Sequence, residues 1–246
     1  MLADPADQLR LLDLAAIDAQ VLQNEHRRAH LPELAQLNEL AVERRSVDEE
    51  LVAAEARLSD AEADQERVEG DLNPARQRLE RNQQRIDSGA ITDPKALRGL
   101  VDETEHLKGR IAKLEDDELE VMQMIEDLTS ERDAIAARKE QVNGRARLVI
   151  GKRNAAMAQL DDQRSALTAE RENQARVIPD ALLAEYDLLR AKHGSGAAAL
   201  ERGRCTGCRL EINEADLRSF RKAAPDQVLH CEECGRILVR TGQSFS

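Results

Sequence analysis

The chain has 246 residues, a formal net charge of −12 and 34% charged residues, but only one Tyr, two Phe and no Trp. All three rings, Tyr186, Phe220 and Phe245, lie beyond residue 185, so nothing bulky anchors an ordinary globular core before that point. This composition excludes a typical enzyme fold for most of the chain. It favours long helices whose narrow seam Leu, Ile, Val and Ala can fill.

The opening residues Met1 to Asp7 show neither a basic segment nor an apolar one, and no run of about 18 apolar residues occurs anywhere. The expectation is a cytoplasmic protein with no membrane partner. All four cysteines fall between 205 and 234 as two Cys-x-x-Cys pairs, which in a reducing compartment read as metal ligands rather than disulfides.

In chain order, the first predicted element is an arm of a coiled coil. From Leu37, alternate steps of three and four residues reach Ile86 through fifteen positions, twelve of them apolar; the exceptions are Arg44, Gln65 and Asn82. That is an unbroken a/d heptad seam, which packs one helix against another with knobs in holes. A second seam runs from Leu97 to Val149 with twelve of sixteen positions apolar. Ala156, Leu160, Leu167 and Val177 keep its phase. Between them lies Asp87-Ser-Gly-Ala-Ile-Thr-Asp-Pro94, where Gly89 ends a helix, Thr92 or Asp93 can cap the next, and Pro94 suits its first turn. Matched seams about one turn predict an antiparallel hairpin over residues 1–178, with its turn near 88–94.

A register follows if facing residue numbers add to about 186. Leu79 then meets Leu107, Leu72 meets Leu114 and Leu37 meets Val149. Asn82 falls opposite Thr104, so the expectation is a hydrogen bond between these two polar exceptions. Gly70, Gly109, Gly144 and Gly151 occupy outer f positions, and Pro74 is the expected site of a kink. By the same register Leu9 to Leu22 lie against residues 164–177. A short base helix, 179–193, carries Leu182, Leu183, Tyr186 and Leu189, and residues 194–204 form a linker or strand.

The strongest signal is Cys205-Thr-Gly-Cys208 with Cys231-Glu-Glu-Cys234, 22 residues apart. Two knuckles of this kind close a sulfur tetrahedron about one structural Zn(2+) per chain. Gly207 and Gly235 supply turn freedom. Strand-like runs at Leu210–Ile212, Val228–His230 and Ile237–Val239 flank them, and Asn213 can cap a short helix bearing Leu217 and Phe220. Residues 205–240 therefore read as a small β zinc ribbon whose folding depends on metal. Residues 241–246 read as a disordered tail, in which Phe245 has no assigned role.

Charge divides unevenly. Residues 201–246 hold eight cations, Arg202, Arg204, Arg209, Arg218, Arg221, Lys222, Arg236 and Arg240, against seven acids, while the rest of the chain carries −13. Any contact with nucleic acid therefore falls to the ribbon, although ordinary solvated surface explains the same residues. His26 and His30, four apart, lack the His-Glu-x-x-His order and read as surface residues. No nucleophile elbow, phosphate-cradling loop or dinucleotide fingerprint is present, so catalysis is not expected.

The order of these parts resembles the bacterial C4-type zinc-ribbon family with an N-terminal coiled-coil hairpin. The phrases that carry the likeness are Val177-Ile-Pro-Asp-Ala-Leu-Leu-Ala-Glu-Tyr-Asp-Leu-Leu-Arg190, the two Cys-x-x-Cys pairs with Gly235-Arg-Ile-Leu238, and Asp93-Pro-Lys-Ala-Leu97. The resemblance implies a mainly α fold, a four-cysteine zinc site at Cys205, Cys208, Cys231 and Cys234, and no catalysis. It also implies regulatory work through protein partners and sometimes RNA. The sequence thus leads to a non-enzymatic adaptor or chaperone-like protein, monomeric or dimeric, that meets a protein partner through its arms and ribbon. The alternative is a factor associated with RNA, the ribosome or the transcription machinery, touching phosphates through the ribbon cations.

Overall fold

The structure is a computed structural model and describes residues 1–245. Helix α1 spans Pro5–Ala29, α2 Pro32–Asp87, α3 Pro94–Ala175, α4 Asp180–His193 and α5 Glu214–Lys222; strands are β1 Ala197–Glu201, β2 Arg204–Cys205, β3 Leu229–His230 and β4 Ile237–Arg240. Two compact units result: residues 36–149, and residues 1–35 with 150 onward.

In the first unit α2 and α3 run antiparallel. Cross-arm ion pairs join Glu43 to Arg145, Glu50 to Arg138, Arg57 to Glu131, Asp71 to Arg110, Arg76 to Glu115 and Arg78 to Glu103, and each pair adds to within five of 186. Leu72, Ala75, Leu107 and Ile111 form one apolar cluster; Val47, Ala54 and Ile135 form another. The predicted heptad register is thereby realised. Asp93, not Thr92, caps α3, accepting from the Lys95 and Ala96 backbone amides at 3.2 Å. Gly89 takes φ +65° in the turn. A Cβ at Gly70, Gly109 or Gly144 would meet open space, as outward f positions require. α2 continues through Pro74 without interruption.

One expectation fails. Asn82 and Thr104 are both buried, but the Thr104 hydroxyl donates to its own helix, to the Leu100 carbonyl at 2.7 Å. The Asn82 Nδ2 is left without a partner among the described residues. A threonine in a helix always has the carbonyl four residues back within reach, so the local bond wins over the cross-arm one.

The second unit begins with Asp4, whose carboxylate accepts from the Ala6 amide at 2.8 Å and caps α1. The first arm is broken at Leu31, because Pro32 disfavours helical geometry in the residue before it and opens α2 instead. Asn24 donates to the Leu160 carbonyl at 3.1 Å and Arg28 pairs with Asp161, which continues the same register onto α1.

The four strands form one sheet in the order β2-β1-β4-β3, with β1 and β4 parallel and the outer pairs antiparallel. Alternation gives it two buried faces. Ala197, Val228, Ile237 and Val239 join Leu11, Leu14, Ile178, Leu182 and Tyr186 from the helices. Ala198, Leu200, Leu229 and Leu238 join Cys205, Cys231, Ile212, Leu217 and Phe220. Residues 194–204, expected as linker or strand, therefore supply the inner strand β1, while Leu210–Ile212 makes only an isolated bridge from Glu211 to Arg204.

Residues near both ends of the described chain join this sheet. Ala3 donates to the Asp226 carbonyl and Val228 to that of Met1. Residues 241–245 of the tail are ordered, against expectation, while Ser246 lies outside the described residues: the Ser244 hydroxyl donates to the Leu200 carbonyl at 2.7 Å, and Arg202 and Gly203 amides donate to Gln243 and Ser244 carbonyls. The physical reason is that the end of β1 has carbonyls and amides in need of partners, and the tail supplies them. Phe245, unexplained from sequence, lies under the Arg221 guanidinium, 5.3 Å from ring centroid to carbon.

Candidate metal centre

Cys205 ends β2 and Cys208 follows it in a tight turn. Cys231 follows β3, and Cys234 sits in the turn before β4. In each knuckle the first cysteine's carbonyl accepts from the amide four residues on, at 2.8 Å from Arg209 and 2.7 Å from Gly235. That closure needs a left-handed residue after the second cysteine. Gly235 takes φ +72° at no steric cost, whereas its counterpart Arg209 adopts φ +64°. Gly207 serves differently: a Cβ there would press to 3.0 Å on Ala198 and Arg236.

The four sulfurs lie within 4.8 Å of one another, with Cys205–Cys234 at 4.0 Å and Cys208–Cys231 at 3.8 Å. A zinc–sulfur bond of about 2.3 Å gives a tetrahedral edge of about 3.8 Å, so the cage has zinc dimensions. All four are free thiols, and Cys205 and Cys231 are buried. Burial pushes the Cys231 thiol up to about 12 and raises that of Cys205. At Cys234 burial works in the same direction, but the Arg236 backbone and side chain and the neighbouring thiols overcome it and lower the value. The fit to a metal rests on the four-sulfur geometry, and a divalent cation there would offset the cost of burying the thiolates it binds. The donor set thus fits one structural zinc, which when bound would tie β2, β3 and β4 together through the four thiolates.

The predicted cations divide into groups. Arg240 is half-buried and spends its guanidinium on the carbonyls of Ala223, Ala224, Pro225 and Gln227. Arg236 donates to those of Ser195 and His193, and Arg204 pairs with Glu211. Arg202, Arg209, Arg218 and Lys222 are exposed, and their side chains have no partner among the described residues. His26 and His30 stack at 4.1 Å on the exposed face of α1, and the metal-competent group among the described residues is the cysteine set alone.

Sequence reasoning missed a second polar centre. Asp18, 1% exposed, receives Arg171 Nε and Arg190 Nε at 2.8 Å and the Tyr186 hydroxyl at 2.7 Å; Arg171 also reaches Asp187. Burial alone would lower the Arg171 value, but the carboxylates of Asp18 and Asp187 more than offset it and hold the guanidinium charged. Burial, then the Asp18 carboxylate, raises the Tyr186 hydroxyl well above its usual range. The cluster pins α1, α3 and α4 together. Gly196 lets β1 approach α4, because a Cβ there would overlap the Tyr186 carbonyl. Its sequence signal was slight: an acid beside Ile17 in an otherwise apolar stripe, and one Tyr in a chain nearly without rings.

A helical hairpin joined to a ribbon with a four-sulfur cage defines the class: a coiled-coil protein closed by a C4 zinc ribbon. Residues 14–194 match the family described as CT398-like coiled coil hairpin domain, and 204–238 match the C4-type zinc ribbon domain. The chain belongs to the CT398-like coiled-coil hairpin family. It is similar to a Mycobacterium tuberculosis protein, 32% identical over 240 residues and covering 98% of each chain. A Mycobacterium leprae protein is 29% identical over 228 residues, covering 91% of this chain and 96% of that one. Among solved structures, one from Mycobacterium smegmatis has 33% identity and a TM-score of 0.89, over 98% of this chain and 100% of that one. CT398 from Chlamydia trachomatis shares the fold at 12% identity and a TM-score of 0.69, over 96% and 98% of the two chains. Both matching families are described by architecture rather than by a reaction. No helix among the described residues is long and apolar enough to cross a membrane.

Proposed function

We propose that the protein is a non-enzymatic cytoplasmic adaptor that captures a protein partner on the solvated faces of its hairpin, with the ribbon as a second contact. The observation that carries this reading is the hairpin itself. From residue 36 to residue 149 two helices bury only a seam against each other, so most of each helix surface is open to a partner. Absence of catalysis is supported by the four-sulfur cage, which leaves zinc no open position for water or substrate. Affinity capture with the full-length protein from native lysate, with and without nuclease, tests the reading. Protein partners should survive nuclease. Loss of every partner on nuclease treatment would overturn it.

A second reading, contact with RNA through the ribbon, is favoured by the exposed and unpartnered Arg202, Arg209, Arg218 and Lys222 and by the Arg221–Phe245 stack. Replacing these five cations with Gln should then abolish a salt-sensitive RNA shift while leaving capture by the arms unchanged.

A further inference from the structure

The ion pairs between the arms follow the heptad. On one flank Arg76 meets Glu115. One heptad further along this flank, seven residues back in α2 and seven on in α3, stand Glu69 and Met122. The opposite flank carries a series of such pairs with one gap. Arg57–Glu131 and Asp71–Arg110 bracket a position where α2 offers Asp64 and α3 offers Asp117 and Met124. Asp64 pairs only within its own helix, with Arg67. At this level of the hairpin neither flank has a cross-arm ion pair among the described residues, and a methionine stands on each flank of α3.

Charge concentrates at this level. Residues 60–71 and 115–127 together hold thirteen acids and one cation, Arg67, whereas the rest of 36–149 holds fifteen acids and seventeen cations. Large apolar side chains are exposed here too: Leu119 is 65% exposed and Met122 47%. They are three apart and so share a helix face. Glu62, Glu66 and Glu69 on α2 and Glu126 on α3 fall at the same level of the hairpin, and none of these carboxylates has an ion-pair partner among the described residues, although Glu69 accepts from the Gln65 amide at 3.1 Å. An unpaired acid in a coiled-coil flank gains nothing for the hairpin, and an exposed Leu–Met pair gains nothing from water.

We propose that the Leu119–Met122 face, rimmed by Glu62, Glu66, Glu69 and Glu126, is the docking site for an amphipathic helical segment of a partner protein with an aliphatic stripe bordered by Lys and Arg. The aliphatic stripe covers Leu119 and Met122, and Met adapts its shape to the stripe it meets. The partner's cations meet the acidic excess concentrated at this level, which also sets specificity against acidic or neutral helices. The proposal rests on the adaptor reading and names its contact surface.

The test is a titration of the full-length, zinc-loaded protein with a fluorescent peptide of Leu and Lys arranged as an amphipathic helix. A scrambled peptide of identical composition is the control. The amphipathic peptide should bind more tightly than the scramble. Leu119→Gln with Met122→Gln should weaken it by about tenfold or more, whereas Val52→Gln with Leu148→Gln, exposed elsewhere on the hairpin, should change it by less than about twofold. Glu62, Glu66, Glu69 and Glu126 changed to Gln should weaken binding and flatten its salt dependence, and this variant decides the matter if the apolar one loses helicity. Equal binding of the scramble, or unchanged binding by both variants, would overturn the proposal. So would self-association removed by the same substitutions, which would assign the face to a second copy. A lysate partner still captured by L119Q/M122Q would end this inference and leave the adaptor reading standing.

Discussion

The hairpin unit and the base unit solve the burial problem in opposite ways. The hairpin repeats one local solution over and over, an aliphatic layer every three or four residues with an ion pair on its rim, and no layer depends on a distant segment other than the facing arm. The base gathers four helices, a sheet, residues near both ends of the described chain and a four-cysteine cage around two apolar clusters and one buried carboxylate. The contrast teaches where cooperativity resides. Damage to the hairpin should remain small and local, while damage to the base should spread through every element that shares its core.

Metal removal should expose that difference most sharply. Zinc sites of this type contribute on the order of 10 kcal/mol. Chelation, or Cys231→Ser, should abolish amide protection across 197–245 while helicity over 36–149 persists, as read by hydrogen exchange and circular dichroism. Purified protein should carry one zinc per chain by elemental analysis. Equal loss of protection in both units would break the comparison.

Next comes Asp18→Ala. It leaves Arg171 and Arg190 without their shared buried carboxylate and the Tyr186 hydroxyl without that acceptor, and should cost about 3–5 kcal/mol in chemical denaturation of the base. The same cluster predicts a pH effect. Because the folded Tyr186 value is raised, its contribution is complete below the ordinary tyrosine value of 10.0 and is lost as pH climbs from there toward the folded value, since only the unfolded chain ionises readily. The denaturation midpoint of the base should fall above about pH 10, and less steeply in Tyr186→Phe.

Effects in the hairpin are expected to be smaller. Asn82→Leu removes a buried amide without a donor's partner and should stabilise the hairpin by about 1 kcal/mol, measured from the shift in thermal midpoint. A loss of stability instead would mean that Asn82 is satisfied in solution. Arg57→Gln, which opens a half-exposed ion pair, should cost less than about 0.5 kcal/mol and nothing at high salt.

Some of this molecule could be read directly. The Leu37–Ile86 and Leu97–Val149 seams, the Gly89–Pro94 turn and the outward glycines depend only on helix period, and the ion pairs fell on the register that those seams imply. The cage was equally plain, because two Cys-x-x-Cys knuckles can hardly do anything else with a zinc ion. Asn82 marks the limit of such reasoning. Its level was right, but the partner chose a carbonyl on its own helix, a competition that spacing does not reveal. Arg209 is similar: the first knuckle needed a left-handed residue, and the glycine that seemed to provide it, Gly207, meets a packing demand instead.

Sequence alone determined the hairpin, its register, its turn and the four ligands, because each follows from spacings within a few turns of one chain segment. Only the tertiary structure decided that Ala197–Glu201 is an inner strand and that Met1 and Ser244 complete its sheet. It also decided that Arg236 and Arg240 are taken up by backbone carbonyls, and that Asp18 lies buried between two arginines and the single tyrosine. Those facts depend on which distant groups arrive within 3 Å of one another, and the buried polar groups they satisfy have no periodicity to betray them.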